Sequence, residues 1–178
     1  MKKIMITWDG PYSLEEIETG EGLPKNEKEL FKKGKGIYQI YGSHPIYGSN
    51  VLLYIGKTTK SFEKRIRQET HWWDNADRNN VQIYTGRLFS KELSEKKDVD
   101  WIDDISLAEQ LLINTHMPAH NSSNINTLSR QEKTLKKLAN VRVINWHYYR
   151  DLMPEVSGDI LLDETDVYSD SYILSYKS

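Results

Sequence analysis

Residues 36–67 read GIYQIYGSHPIYGSNVLLYIGKTTKSFEKRIR, and the change of period inside this stretch decides the fold. The runs at 36–42 (GIYQIYG) and 50–56 (NVLLYIG) are β-branched and aromatic and are bounded by turn residues, which predicts two strands. The break between them, residues 43–49, is longer than a two-residue hairpin loop and suits a long antiparallel connection. Past Gly56 the apolar spacing becomes helical at Phe62, Ile66 and Glu69, with Ser61 placed as an N-cap, so a short helix follows. Alternation puts Leu52, Tyr54 and Gly56 on one face of the second strand and Val51, Leu53 and Ile55 on the other. With the right register, Tyr38 joins Tyr54 on the side facing the helix that carries Arg65. Two phenols, Lys57 and one or two guanidiniums then form a group suited to a phosphate.

Gly36-Ile37-Tyr38 and Tyr54-Ile55-Gly56 resemble the two half-motifs of the GIY-YIG nuclease family. The resemblance continues through Lys57, the FEKR segment ending at Arg65, and Glu109 to Asn121, so it spans roughly residues 34–125 with its elements in order. Two departures stand out. Tyr38 and Tyr54 are further apart than in the shortest members, which implies an insertion in the hairpin. A histidine or tyrosine usually follows the family's arginine by a few residues, and the nearest candidate here is His71.

The resemblance implies an α/β fold in which a small, mostly antiparallel central sheet of about three core strands is flanked by helices. It implies a metal-dependent DNA endonuclease in which Glu109 holds one Mg2+ or Mn2+ ion and Asn121 steadies the site. Tyr38 and Tyr54 position or deprotonate the attacking water, Arg65 binds the scissile phosphate, and Lys57 and His71 complete the catalytic set. Two other classes stay open: a catalytically idle nucleic-acid-binding module that keeps the fold, and an interaction protein whose acidic tail docks a partner. Cutting both strands of a duplex would call for a homodimer or for sequential nicking.

The residues carry this chemistry on physical grounds as well. Hydrolysis of a phosphodiester needs a nucleophile, stabilisation of charge on the phosphoryl oxygens and help for the leaving oxygen; one divalent ion supplies much of the last two. Magnesium prefers one or two carboxylates together with water and substrate oxygens. Ser106 to Glu109 also fits a capping box, which would make Glu109 a helix cap, but the apolar pattern begins earlier, near Ile102. A phenol with a pKa near 10 is ionised in only about one molecule in a thousand at pH 7, so nearby positive charge is expected to lower it. Arg65 suits paired phosphate oxygens through its planar fork. Arg67, two positions on, faces elsewhere and is read as a flanking backbone contact. Pro118 separates His116 from His120 and breaks the helix that would align them on zinc.

The 178 residues favour one domain, with a core at 34–125, a strand–helix extension at 1–33 and a helix–strand extension at 126–178. The absence of cysteine excludes disulfides and thiolate metal sites. Without a signal-like or membrane-length apolar run, a cytoplasmic location is expected. Of 24 basic and 26 acidic residues, one basic and seven acidic fall after residue 150, which leaves 23 against 19, a net of +4, for 1–150. That balance permits a nucleic-acid footprint but not binding by bulk charge.

Elsewhere, residues 3–8 (KIMITW) predict a strand ended by Asp9-Gly10-Pro11, and Ser13 to Glu16 a capping box. Residues 27–33 predict a short helix, 81–88 a third core strand and 101–117 a helix stopped by Pro118. Another capping box at Ser129 opens a helix to about Leu138, and 141–146 form a strand. Trp8 is expected in the core, and one of Trp72 and Trp73 is a candidate for base stacking. In the acidic tail, 160–162 and 172–174 could add an edge strand or meet a partner.

Overall fold

The computed structural model describes residues 1–69, 78–89, 98–125 and 132–159. Strand β1 (Lys2–Tyr12) leads into helices α1 (Leu14–Thr19) and α2 (Lys25–Lys33), then the hairpin β2 (Gly36–His44) and β3 (Gly48–Thr58). Helix α3 (Phe62–Gln68), strand β4 (Gln82–Phe89), the long helix α4 (Asp98–His116) and helix α5 (Glu132–Ala139) follow. Strands β5 (Val141–His147) and β6 (Glu155–Ser157) close the described chain. No helix among the described residues is long and apolar enough to cross a membrane.

The α/β class matches the sequence reading, but the sheet is larger than the expected three strands. Six strands lie in the order β3-β2-β4-β1-β5-β6. All neighbours are antiparallel except β1 and β5, which run parallel. The supposed extensions at the two ends of the chain are therefore part of the sheet, with β1 hydrogen-bonded between β4 and β5. The physical reason lies in the alternation of β1: Ile4, Ile6 and Trp8 are all buried on one face. Trp8 donates its indole N–H to Asn145 Oδ1 at 2.9 Å, and the Asn145 amide donates to Met153 O at 2.7 Å. A parallel partner more than a hundred residues away leaves no local sequence signal. Nor does β1 stop at Gly10-Pro11; a shift of register between Asp9 and Tyr12 absorbs them, and the strand ends at Tyr12.

The sheet separates two cores. On one face α4 presents Ile105, Ala108, Leu111 and Leu112 to Ile4, Ile6, Ile37 and Ile55. The other face carries Tyr38, Ile40 and Ile83, covered by Phe31 of α2 and Phe62 and Ile66 of α3. Both predicted local signals at this second face are present. Ser13 and Glu16 cap each other reciprocally, and Ser61 caps α3 by accepting from the Lys64 amide. The hairpin connection is tighter than expected, because the strands extend through residues 43–44 and 48–49 and leave Pro45, Ile46 and Tyr47 as the turn. The short strand β6 on the β5 edge was not foreseen; Ser129, the Trp72–Trp73 pair and both tail patches lie outside the described residues.

Replacing Asn145 by Ala removes the acceptor of the buried Trp8 indole and the donor to Met153. The variant should lose about 2 kcal/mol, seen as a lower urea midpoint with an unchanged slope.

Candidate active site

Strand β3 is an outer strand of the sheet, so side chains from both faces can meet around it. Its exposed backbone is closed by the loop after α4. The Ala119 and His120 amides donate to Leu52 O at 3.2 Å and Leu53 O at 2.8 Å. Asn121 then does with one side chain what a neighbouring strand would do. Its Oδ1 accepts from the Ile55 amide and its Nδ2 donates to Ile55 O, both at 2.9 Å. Asn121 is 7 % exposed, so these bonds are shielded from water. Asn121 thus fixes the backbone beside Tyr54 and Gly56.

On the α3 face, Tyr38 pairs across the hairpin with Gly56, and Ile40 pairs with Tyr54, so the two phenols are diagonal neighbours. Their ring centroids are 6.0 Å apart. Gly56 is what permits this approach. A Cβ there would stand 2.4 Å from the Tyr38 hydroxyl oxygen and 2.6 Å from Tyr54 Cε1. Arg65 reaches the same place from α3, forms an ion pair with Glu69 at 2.6 Å and hydrogen-bonds Tyr54. Tyr38 donates its hydroxyl to that same Glu69 oxygen at 3.4 Å.

From the α4 face, Lys57 and Glu109 meet at 2.7 Å. Ser106 lies inside α4 and donates to Ile102 O at 2.8 Å, so the capping reading of Glu109 is overturned. Burial pushes the Glu109 carboxyl above its ordinary pKa, while Lys57 and Arg65 pull it back. The two halves sense each other around β3, for Glu109 acts electrostatically on Tyr38, Tyr54 and Arg65. Beside them lies a hollow of about 410 Å³, lined by Lys57, Lys60, Lys64 and Arg65 together with Thr58, Thr59, Ser61 and Gln68. A larger hollow of about 510 Å³, among β1, α4, α5 and β5, shares no residue with this site.

The expectation of acidified phenols is corrected. Burial drives the Tyr38 hydroxyl far above its ordinary pKa; the Glu69 carboxylate adds to this, and Arg65 opposes it. Tyr54 is raised too, by burial first and Glu69 second, again against Arg65. Both phenols are therefore protonated at neutral pH, and any role in moving a proton is that of an oriented O–H group. Arg67 faces away from this group, as expected; its guanidinium donates to Glu18 O at 2.6 Å and Glu63 at 3.0 Å and ties α3 to α1. The reason is its position on α3, two residues beyond Arg65 and turned away from the sheet edge.

The structure thus brings together Tyr38, Tyr54, Lys57, Arg65, Glu109 and Asn121; His71 lies outside the described residues. His116 is engaged by backbone on both ring nitrogens, by Leu112 O at 2.9 Å and the Met153 amide at 2.8 Å. Sequence reasoning missed Glu69 as a functional group. Its spacing marked a buried position, and the signal left unused was a carboxylate four residues after Arg65, where an ion pair forms on a helix. Among the described residues, no group of three or more acidic or histidine side chains could hold a metal. Glu109, paired with Lys57, is a single carboxylate that could offer one ligand to a hard ion but not an all-protein cage.

Compared with protein-family models, curated proteins and solved structures, the chain finds no match.

Gly56→Ala should separate the two phenols. The expected result is a loss of about 1–3 kcal/mol in urea unfolding, with a changed tyrosine signal in the near-ultraviolet circular dichroism of the folded variant.

Proposed function

We propose that the chain is a metal-dependent endonuclease that hydrolyses phosphodiester bonds of DNA, with β2, β3, β4, α3 and α4 as a GIY-YIG-like core. The observation that carries this reading is the convergence of two phenols, a guanidinium and a lysine–carboxylate pair around an edge strand clamped by Asn121. Their shared location next to a basic hollow suits a phosphate.

In this reading the scissile phosphate lies against Arg65, whose fork pairs with two of its oxygens. Lys57 adds a point charge from the other side of the strand. Tyr38 and Tyr54 hold the attacking water by hydrogen bonds, aligned by the packing that makes Gly56 obligatory. The divalent ion, Mg2+ or Mn2+, would be held by Glu109 and would supply Lewis-acid stabilisation of the phosphoryl and leaving oxygens. Lys60 and Lys64 line the path of the neighbouring backbone, where each contributes sequence-independent attraction that weakens with salt.

The test is cleavage of supercoiled plasmid with Mg2+, Mn2+ or EDTA, comparing the unaltered chain with Glu109→Ala. Nicked or linear product should require the ion and fall by about 1,000-fold in the variant. Equal cleavage by the variant, or cleavage that persists in EDTA, would refute the assignment. Absence of cleavage together with salt-sensitive DNA binding would instead favour a binding module.

A further inference from the structure

We infer that Glu69 is the proton acceptor behind Tyr38, so that phenol and carboxylate act as one unit on the attacking water. The inference rests on the nuclease reading and extends it to a residue outside the motif.

Four observations converge on this residue. Glu69 caps the C-terminus of α3 and is only 7 % exposed, an uncommon state for a glutamate. Its Oε1 takes both the Arg65 guanidinium, at 2.6 Å, and the Tyr38 hydroxyl, at 3.4 Å. Tyr38 is wholly buried on its strand, so its hydroxyl has few directions in which to point. An O–H directed at Glu69 turns the oxygen lone pairs away from the carboxylate, leaving them to accept from another donor.

Among the described residues, the groups that face this pair include Arg65 on the same helix, Tyr54 from β3 and Glu109 from α4. Arg65 is the cation paired with Glu69. Tyr54 is a second protonated phenol, and Glu109 already holds Lys57. Among the described residues, Glu69 is thus the carboxylate that accepts from the Tyr38 hydroxyl.

The resulting step balances without a free phenolate. As the water oxygen forms its bond to phosphorus, a water O–H bond breaks and that proton passes to the Tyr38 oxygen. The original Tyr38 proton passes to Glu69 Oε1. The bond from phosphorus to the leaving sugar oxygen breaks, and that oxygen departs with the electron pair and takes a proton from solvent. Glu69 then returns its proton to solvent, which restores the resting state. A burial-raised phenol, useless as an ionised base, suits this role because it exchanges one proton for another.

Glu69 could merely anchor Arg65 as an i,i+4 ion pair, so the variants must separate anchoring from proton transfer. Glu69→Gln keeps an acceptor for Arg65 and Tyr38 but cannot take up the proton. Glu69→Asp restores the acid on a shorter stem. With the full chain acting on plasmid and Mg2+, Glu69→Gln should lower kcat by about 100-fold, with KM within about twofold and an unchanged urea midpoint. Glu69→Asp should recover at least about tenfold of that loss.

A measurement independent of activity completes the test. The carbon-13 resonance of the Glu69 side-chain carboxyl, assigned by its loss in Glu69→Gln, should move in Tyr38→Phe, which lacks only the donor hydroxyl. Cleavage by the unaltered chain with Glu69→Gln within twofold of it would overturn the proton-acceptor role alone. So would a Glu69 resonance indifferent to Tyr38→Phe. No cleavage by the unaltered chain on any DNA would overturn the nuclease reading itself, and the relay with it.

Discussion

An outer strand leaves a row of backbone donors and acceptors unpaired, and the site depends on how β3 is closed. Asn121 satisfies both polar groups of Ile55, while the two preceding residues reach Leu52 and Leu53. Only a short loop covers the edge here, so the groups above and below the strand remain close to one another. A seventh strand in that position would move the sheet edge outward by a strand spacing of about 4.8 Å, so groups on the two faces of β3 could no longer meet around it. The same clamp fixes the twist and height of the segment Tyr54–Lys57, every residue of which contributes to the site or its packing. Asn121 thus acts on the site through backbone geometry.

The hairpin shows why some of this was legible in the sequence. Alternation in 36–42 and 50–56 sorted Tyr38 and Tyr54 onto a common face, and the 62, 66, 69 spacing placed α3 over them. These are local signals, each carried by fewer than a dozen residues. The partnership of β1 with β5 is of another kind. Trp8 and Asn145 are 137 positions apart, and nothing near either residue announces the other. The sheet consequently looked half its true width. Glu69 was hidden for a different reason, because its position in the helical pattern marked burial and drew attention away from its charge. For Arg67 a sequence gives a direction on a helix but not the Glu18 carbonyl that it meets there.

The phenols correct a more general expectation. A cation beside a tyrosine lowers its pKa only when it outweighs the cost of moving a negative charge out of water, and around Tyr38 it does not. Gly56 makes the reason visible. The absence of a single methyl group lets the phenol pack against the strand so closely that water is excluded from one side of it. What positions the hydroxyl also prevents it from ionising. Tight placement and an acidified phenol are therefore competing solutions here, and this chain has adopted the first.

Charge in the site follows the same logic. Lys57 is matched by Glu109, and Arg65 by Glu69, so the four groups carry no net charge before a ligand arrives. Two isolated cations at this edge would repel each other and resist burial; paired, they are held in place at little cost. On the proposed reading, a phosphate entering the adjacent hollow would meet guanidinium and ammonium groups already oriented by their carboxylates, with Lys60 and Lys64 in more open positions. Attraction at a distance then comes from the exposed lysines, and orientation at contact comes from the paired groups. On the proposed reading, that division lets a chain with a formal charge of −2 attract a phosphate to one edge. On the proposed reading, a cation that settles on Glu109 would add positive charge beside Lys57 and shift this balance toward the anion, so metal and substrate would favour each other's binding.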